Sequence, residues 1–111
     1  MNDVLEAMAA APDHHHVLLE NERVRVLDTC VAPGERTPVH AHAWSAALYV
    51  LSWSDFVRRD ADGQVMADSR EWSRRPAAGE SLWIPPLPAH SIENVGTSDL
   101  RLIAVELKNR L

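Results

Sequence analysis

Three histidines stand at spacings that suit a metal ion: His40 and His42, one residue apart, and His90, just past a run of prolines. A neutral imidazole is a ligand for zinc, iron, nickel or copper. Side chains alternate faces along a strand, so His40 and His42 point the same way, their Cα atoms about 7 Å apart at about 3.3 Å per residue. Metal–nitrogen bonds of about 2.0–2.1 Å let two such rings converge on one ion. A pair of this kind also arises by chance, so the weight falls on the third ring. His90 follows Pro85-Pro86-Leu87-Pro88, a stiff loop that sets where the next strand begins. If that strand lies beside the strand of His40 and His42, three imidazoles meet.

The elements needed to hold them are strands. Arg23 to Val31 is rich in Val, Leu and Thr and stops at Pro33-Gly34. Trp44 to Trp53 reads as a second strand, and Ser81 to Ile84, Ser91 to Val95 and Leu100 to Leu107 as three more. Phe56-Val57-Arg58-Arg59 and Gln64-Val65-Met66 flank Asp60-Ala61-Asp62-Gly63, a hairpin turn whose glycine suits a positive φ. Many short strands with regular turn signals predict an all-β sandwich or barrel. Residues 1–16 read as a tail or short helix, with Val4, Leu5, Met8 and Ala9 at helical spacing until Pro12, and residues 17–111 as one barrel domain. His14, His15 and His16 read as a polar entry to the first strand, the middle one facing away from the other two.

The two histidine segments resemble the paired motifs of the cupins. In Gly34-Glu35-Arg36-Thr37-Pro38-Val39-His40-Ala41-His42, the glycine and both histidines have the spacing of the first motif. In the segment from Gly79 to Asn94, Gly79, Pro85, His90 and Asn94 match the second, with Leu87 in place of its second glycine. The flanks Leu19 to Leu27 and Glu93 to Gly96 are similar to those of short bacterial single-domain cupins. The resemblance implies a double-stranded β-helix, a jelly-roll barrel, holding one divalent metal on His40, His42 and His90. One position departs from the pattern. The glutamate that completes the family's metal shell belongs at 46 or 47, and both are alanine. A three-histidine shell remains, suited to Fe, Zn or Ni and less to a harder ion such as Mn.

The resemblance further implies either a metal-dependent dioxygenase acting on a small organic substrate or a non-catalytic cupin that binds or senses a small ligand, with or without metal. A third reading is a barrel acting through assembly alone. No catalytic side chain and no organic cofactor site is assigned. Trp44 and Tyr49 are candidates for the wall of a substrate pocket, although tryptophans are as well used for core packing. Glu93 reads either as a residue that orients a ligating histidine or as a solvent-facing strand residue, Arg25 as an outer-face strand residue ahead of the alternative that it points into the barrel toward a substrate carboxylate, and Asn94 as a turn residue bonding nearby backbone.

Composition limits the alternatives. A net charge of −5 over 111 residues argues against a nucleic-acid surface. No apolar stretch approaches the roughly 20 residues of a membrane span, and the acidic, Ala-rich start is unlike a secretory leader. A lone cysteine, Cys30, allows no internal disulfide and suits a cytoplasmic setting. The pairs Arg58-Arg59 and Arg74-Arg75 read as solvated strand edges that discourage edge pairing. A homodimer through barrel edges is the expected assembly.

Overall fold

Alternation along the strands decides which residues meet inside. In Val24–Val31, Arg25, Leu27 and Val31 are buried while their neighbours are partly exposed. This strand pairs without interruption to Leu100–Leu107, from Val24 opposite Leu107 to Val31 opposite Leu100, and the pair forms the centre of one sheet. The computed structural model describes residues 6–108. After a short helix α1 (Ala7–Ala10) come β1 (His15–Glu20), β2 (Val24–Val31), β3 (His40–His42), β4 (Ala46–Ser52), β5 (Phe56–Asp60), β6 (Val65–Asp68), β7 (Ser81–Ile84), β8 (Leu87–Asn94) and β9 (Leu100–Leu107). The strands form two antiparallel sheets, a five-stranded one in the order β1-β2-β9-β4-β7 and a four-stranded one in the order β3-β8-β5-β6.

The expected hairpin is present, with Gly63 at φ 86° and the Asp60 carboxylate accepting from the backbone N–H of Asp62 and Gln64. Gly34 and Gly79, the first glycines of the two motifs, also lie at positive φ, 81° and 90°, a conformation that costs glycine nothing and other residues much.

Three boundaries differ from expectation. The last proline-loop residues belong to β8, which starts at Leu87 rather than Ser91. The strand expected from Trp44 begins at Ala46, leaving Trp44 in the connection before it. The first strand begins at His15, and the described part of the 1–16 segment packs into the barrel: Ala7 and Ala11 are fully buried, and Glu6 bridges in parallel to Ala41. Residues 1–5 of the expected helix lie outside the described residues.

Inside, Val31, Phe56 and Leu100 form a buried cluster on which Trp53 and Ile92 pack. Phe56, Trp53 and Trp72 meet ring against ring, with centroids 5.6–5.8 Å apart. These three rings line one end of the interior, Trp72 reaching the surface. On β8 the successive inward positions are His90, Ile92 and Asn94, and their β5 partners are Asp60, Arg58 and Phe56. Asn94 behaves as read from sequence: its amide donates to the carbonyls of Val31 and Ser98 and accepts from the N–H of Gly96. Among the described residues no helix is long and apolar enough to cross a membrane.

Candidate metal centre

His40 lies opposite His90 in the β3–β8 ladder, so both rings leave the sheet on one face, their centroids 4.5 Å apart. The register slips before His42, which faces Leu87 where a regular ladder would put Pro88. Proline has no N–H to give a ladder, so irregularity at this position is expected. The His42 centroid is 5.1 Å from that of His40 and 5.7 Å from that of His90. The three histidines expected from sequence are thus in one cluster.

A fourth ring joins them. His15 opens β1, on the opposite sheet, and is 1% exposed. Its centroid is 4.9 Å from that of His40 and 5.3 Å from that of His42. The donor atoms of His15, His40 and His42 all lie within 4.8 Å of one another. Bonds of about 2.0–2.1 Å place two donors on one ion no more than roughly 4.2 Å apart, so side-chain adjustments of a few tenths of an ångström suffice. His14 and His16 stay outside the cluster: the His14 ring bonds to the Cys30 carbonyl, and His16 is exposed.

The rings are aimed by their far nitrogens. Nδ1 of His15 lies 2.9 Å from the Ala11 carbonyl, that of His40 2.9 Å from the Pro38 carbonyl, and that of His90 2.7 Å from the Pro88 carbonyl. A carbonyl oxygen only accepts, so each Nδ1 carries the proton and each Nε2 presents its lone pair. His42 Nδ1 lies 3.2 Å from a Glu106 carboxylate oxygen, which imposes the same tautomer. Burial lowers the ring pKa from 6.5 to about 4 for His15, about 3 for His40 and about 4 for His90, outweighing the carbonyl bonds. These imidazoles are neutral near pH 7, the form a metal requires.

Glu106 completes the support. It is 1% exposed, and besides His42 it accepts from Arg25 Nε at 2.6 Å. Burial pushes its carboxyl pKa up, but the bonds from His42 and Arg25 and the Arg25 charge outweigh this and hold it below the ordinary range. Arg25 also pairs with Glu6 and lies 5.0 Å from the centroid of the Trp44 ring. It is therefore inward, the second of its two sequence readings, on the face of β2 that carries the buried Leu27 and Val31. The motif's missing glutamate has a counterpart here. Ala46 is buried and faces Glu106 across the β4–β9 ladder, so a carboxylate enters the same part of the barrel from the neighbouring strand. Glu93 takes a different place, paired with Arg59 at 2.7 Å on the surface of the small sheet.

The histidines open on a cavity of about 360 Å³, within the range of small-molecule sites. Trp44 lines it. Tyr49 does not: it is 47% exposed, on the face of β4 opposite Ala46, Leu48 and Val50. Three residues that contribute here had quiet signals in the sequence. His15 had opposite parity to its histidine neighbours, and Glu106 was a lone acid on the inward parity of an apolar strand. Arg58, read as a solvated edge residue, lines the cavity.

Similarity to solved structures settles the architecture. The fold is that of the cupins. A cupin domain from Bordetella pertussis Tohama I is 21% identical at a TM-score of 0.67, covering 86% of this chain and 92% of that one. An RmlC-like cupin with a double-stranded β-helix fold, from Methanocaldococcus jannaschii, is 16% identical at 0.59, covering 84% and 77%. The polyketide cyclase RemF from Streptomyces resistomycificus is 22% identical at 0.56, covering 91% and 69%. No protein-family model and no curated protein sequence matches the chain. The cupin barrel here carries a histidine group that can hold a metal.

Proposed function

We propose that this cupin binds one divalent transition metal, Fe, Zn or Ni, on His15, His40, His42 and His90, and uses it on a small organic molecule seated in the cavity. The observation that carries the reading is the orientation of the rings. Three buried imidazoles, His15, His40 and His90, and the half-buried His42 have Nδ1 tied to protein acceptors, and the donor atoms of His15, His40 and His42 lie within 4.8 Å of one another, with the His90 ring 4.5 Å from that of His40. Burying the three neutral rings of His15, His40 and His90 together has no packing advantage over apolar residues, so an ion is the economical account.

A bound divalent ion supplies a Lewis acid and, as Fe(II), a centre for O2 chemistry. The chain's own residues do the rest. Glu106 and the three carbonyls fix the rings, and Trp44, Trp53, Phe56 and Trp72 give the cavity an apolar wall for the organic part of a ligand. Four neutral ligands leave the ion's positive charge unbalanced, which favours an oxygen-donor substrate. An iron-dependent dioxygenase is the reaction class proposed first. That a polyketide cyclase has this fold supports a non-redox reaction as the second.

Metal analysis of untagged protein, beside His40→Ala/His90→Ala, tests the centre. Near-stoichiometric metal lost in the double variant supports it, and failure to take up Fe, Zn or Ni when offered overturns it. O2 uptake by the Fe(II)-loaded protein with a panel of β-diketones and thiols tests the dioxygenase. Ligand-dependent stabilisation without turnover would favour a sensor. A cytoplasmic setting and pairing of two copies are part of the proposal, the pairing supported by exposed Val17, Leu18 and Leu19 on the edge strand β1.

A further inference from the structure

Two adjacent arginines on β5 have different fates. Arg59 lies outward and pairs with Glu93 at 2.7 Å. Arg58 lines the cavity, its Nε is buried, and it has no hydrogen-bond partner among the described residues. Its guanidinium carbon lies 5.5 Å from the centroid of the Phe56 ring, two residues back on the same face. Burial lowers its pKa, and no acidic neighbour raises it again. The residue is half-buried, and a guanidinium whose Nε is buried without a partner is costly, so stability alone would not select it.

Its position relative to the histidines is set by the ladder. Arg58 faces Ile92 across β5–β8, and Ile92 is two residues from His90 on the same face. Such diagonal neighbours lie about 7–8 Å apart. A guanidinium one pleat below the rings faces the inner end of any molecule whose outer end reaches the Nε2 atoms. Histidines apart, the ionisable residues lining the cavity are Arg58 and Glu106. Glu106 is already held by Arg25 and His42, so the net charge offered to a ligand is positive. A single cation supported by an aromatic face, with no second arginine or lysine in the lining, matches a monoanion better than a phosphate.

We infer that Arg58 is the carboxylate anchor of the cavity, so that the ligand is a small organic acid whose carboxylate pairs with Arg58 while a second oxygen donor, a ketone or hydroxyl, turns toward the histidines. This rests on the metal-centre reading for the outer end of the ligand and stands without it for the inner end.

The probes are 4-oxopentanoate and its neutral amide, titrated calorimetrically into zinc-treated and chelator-treated protein. The wild type binds the acid at least tenfold tighter than the amide in both preparations, because the Arg58 charge does not depend on the ion. Arg58→Gln abolishes that preference while leaving zinc stoichiometry unchanged, Arg58→Lys keeps part of it, and Arg59→Gln keeps all of it. Arg58→Met has a higher unfolding midpoint than wild type in the absence of ligand, since it removes a half-buried charge whose Nε has no partner. The midpoint also guards against a misfolded variant being scored as a lost site. Equal affinity for acid and amide in the wild type, or a preference that survives in Arg58→Gln, overturns the assignment. Failure of the metal reading looks different: zinc is not retained, while the preference for the acid persists in both preparations.

Discussion

Glu106→Gln separates support of the metal centre from simple packing. The substitution keeps volume and removes charge. Glu106 accepts two N–H bonds, from Arg25 Nε at 2.6 Å and from His42 Nδ1 at 3.2 Å, in a site 1% exposed. A carboxamide has one accepting oxygen and one donating nitrogen. Whichever way it turns, its NH2 faces one of those donors. If Arg25 keeps the oxygen, His42 either loses its anchor or switches tautomer and presents the wrong nitrogen to the ion. Loss of such a partner costs metal affinity about 10–100-fold, equivalent to roughly 1.4–2.7 kcal/mol. An unmatched buried donor costs about 1–3 kcal/mol of stability. Arg25 retains Glu6, so the full 3–5 kcal/mol typical of a broken buried pair is not expected, and about 2 kcal/mol is.

The assay is competition for zinc against a chromophoric chelator, with denaturant unfolding of the metal-free protein alongside. Glu93→Gln is the control. Its partner Arg59 is on the surface, so affinity should be unchanged and stability should move by less than about 1 kcal/mol. If Glu106→Gln binds zinc within twofold of wild type, the account of ring orientation is wrong.

His15→Ala lowers zinc affinity by at least tenfold while His14→Ala does not, checked by the same competition, because His14 bonds to the Cys30 carbonyl away from the cluster. Trp44→Ala weakens binding of an organic ligand several-fold and Tyr49→Ala leaves it unchanged, read by calorimetry, since Trp44 lines the cavity and Tyr49 does not. The metal-free protein loses stability as pH falls from 6.5 toward 4. His15, His40 and His90 have folded pKa values depressed to about 4, 3 and 4, so the unfolded chain takes up protons first. At pH 5.5 this amounts to a few kcal/mol, seen as a lower denaturant midpoint than at pH 7.5. An unchanged midpoint would mean that the rings are not buried neutral.

The architecture was legible because its signals are local. Turn glycines such as Gly63, apolar strands such as Leu100 to Leu107 and the two spaced motifs each declare themselves within a few residues. The pairing of His40 with His90 followed from motif order. What escaped was decided by parity and by neighbours distant in sequence. His15 looked like part of a polar run, and its inward direction is set by pairing with β2. Glu106 and Arg25 are register partners across 81 positions, a relation no local pattern contains. Arg58 and Arg59 read alike as a basic pair, yet strand alternation sends one into the cavity and the other to the surface. Tyr49 was misplaced by the same step of one residue.

The place of His15 in the sheet order couples coordination to fraying. β1 is an edge strand paired to β2 alone, with a register irregularity between Val17 and Leu19. Edge segments of this kind open at far lower free energy than the strands they cover. His40, His42 and His90 sit on β3 and β8, in the other sheet. Each opening of β1 therefore withdraws one imidazole and leaves three behind. On the proposed metal reading, His15 is then the ligand expected to exchange with an incoming donor while the other three histidines stay in place. Amide hydrogen exchange in β1 and ligand exchange at the ion then become two views of a single motion.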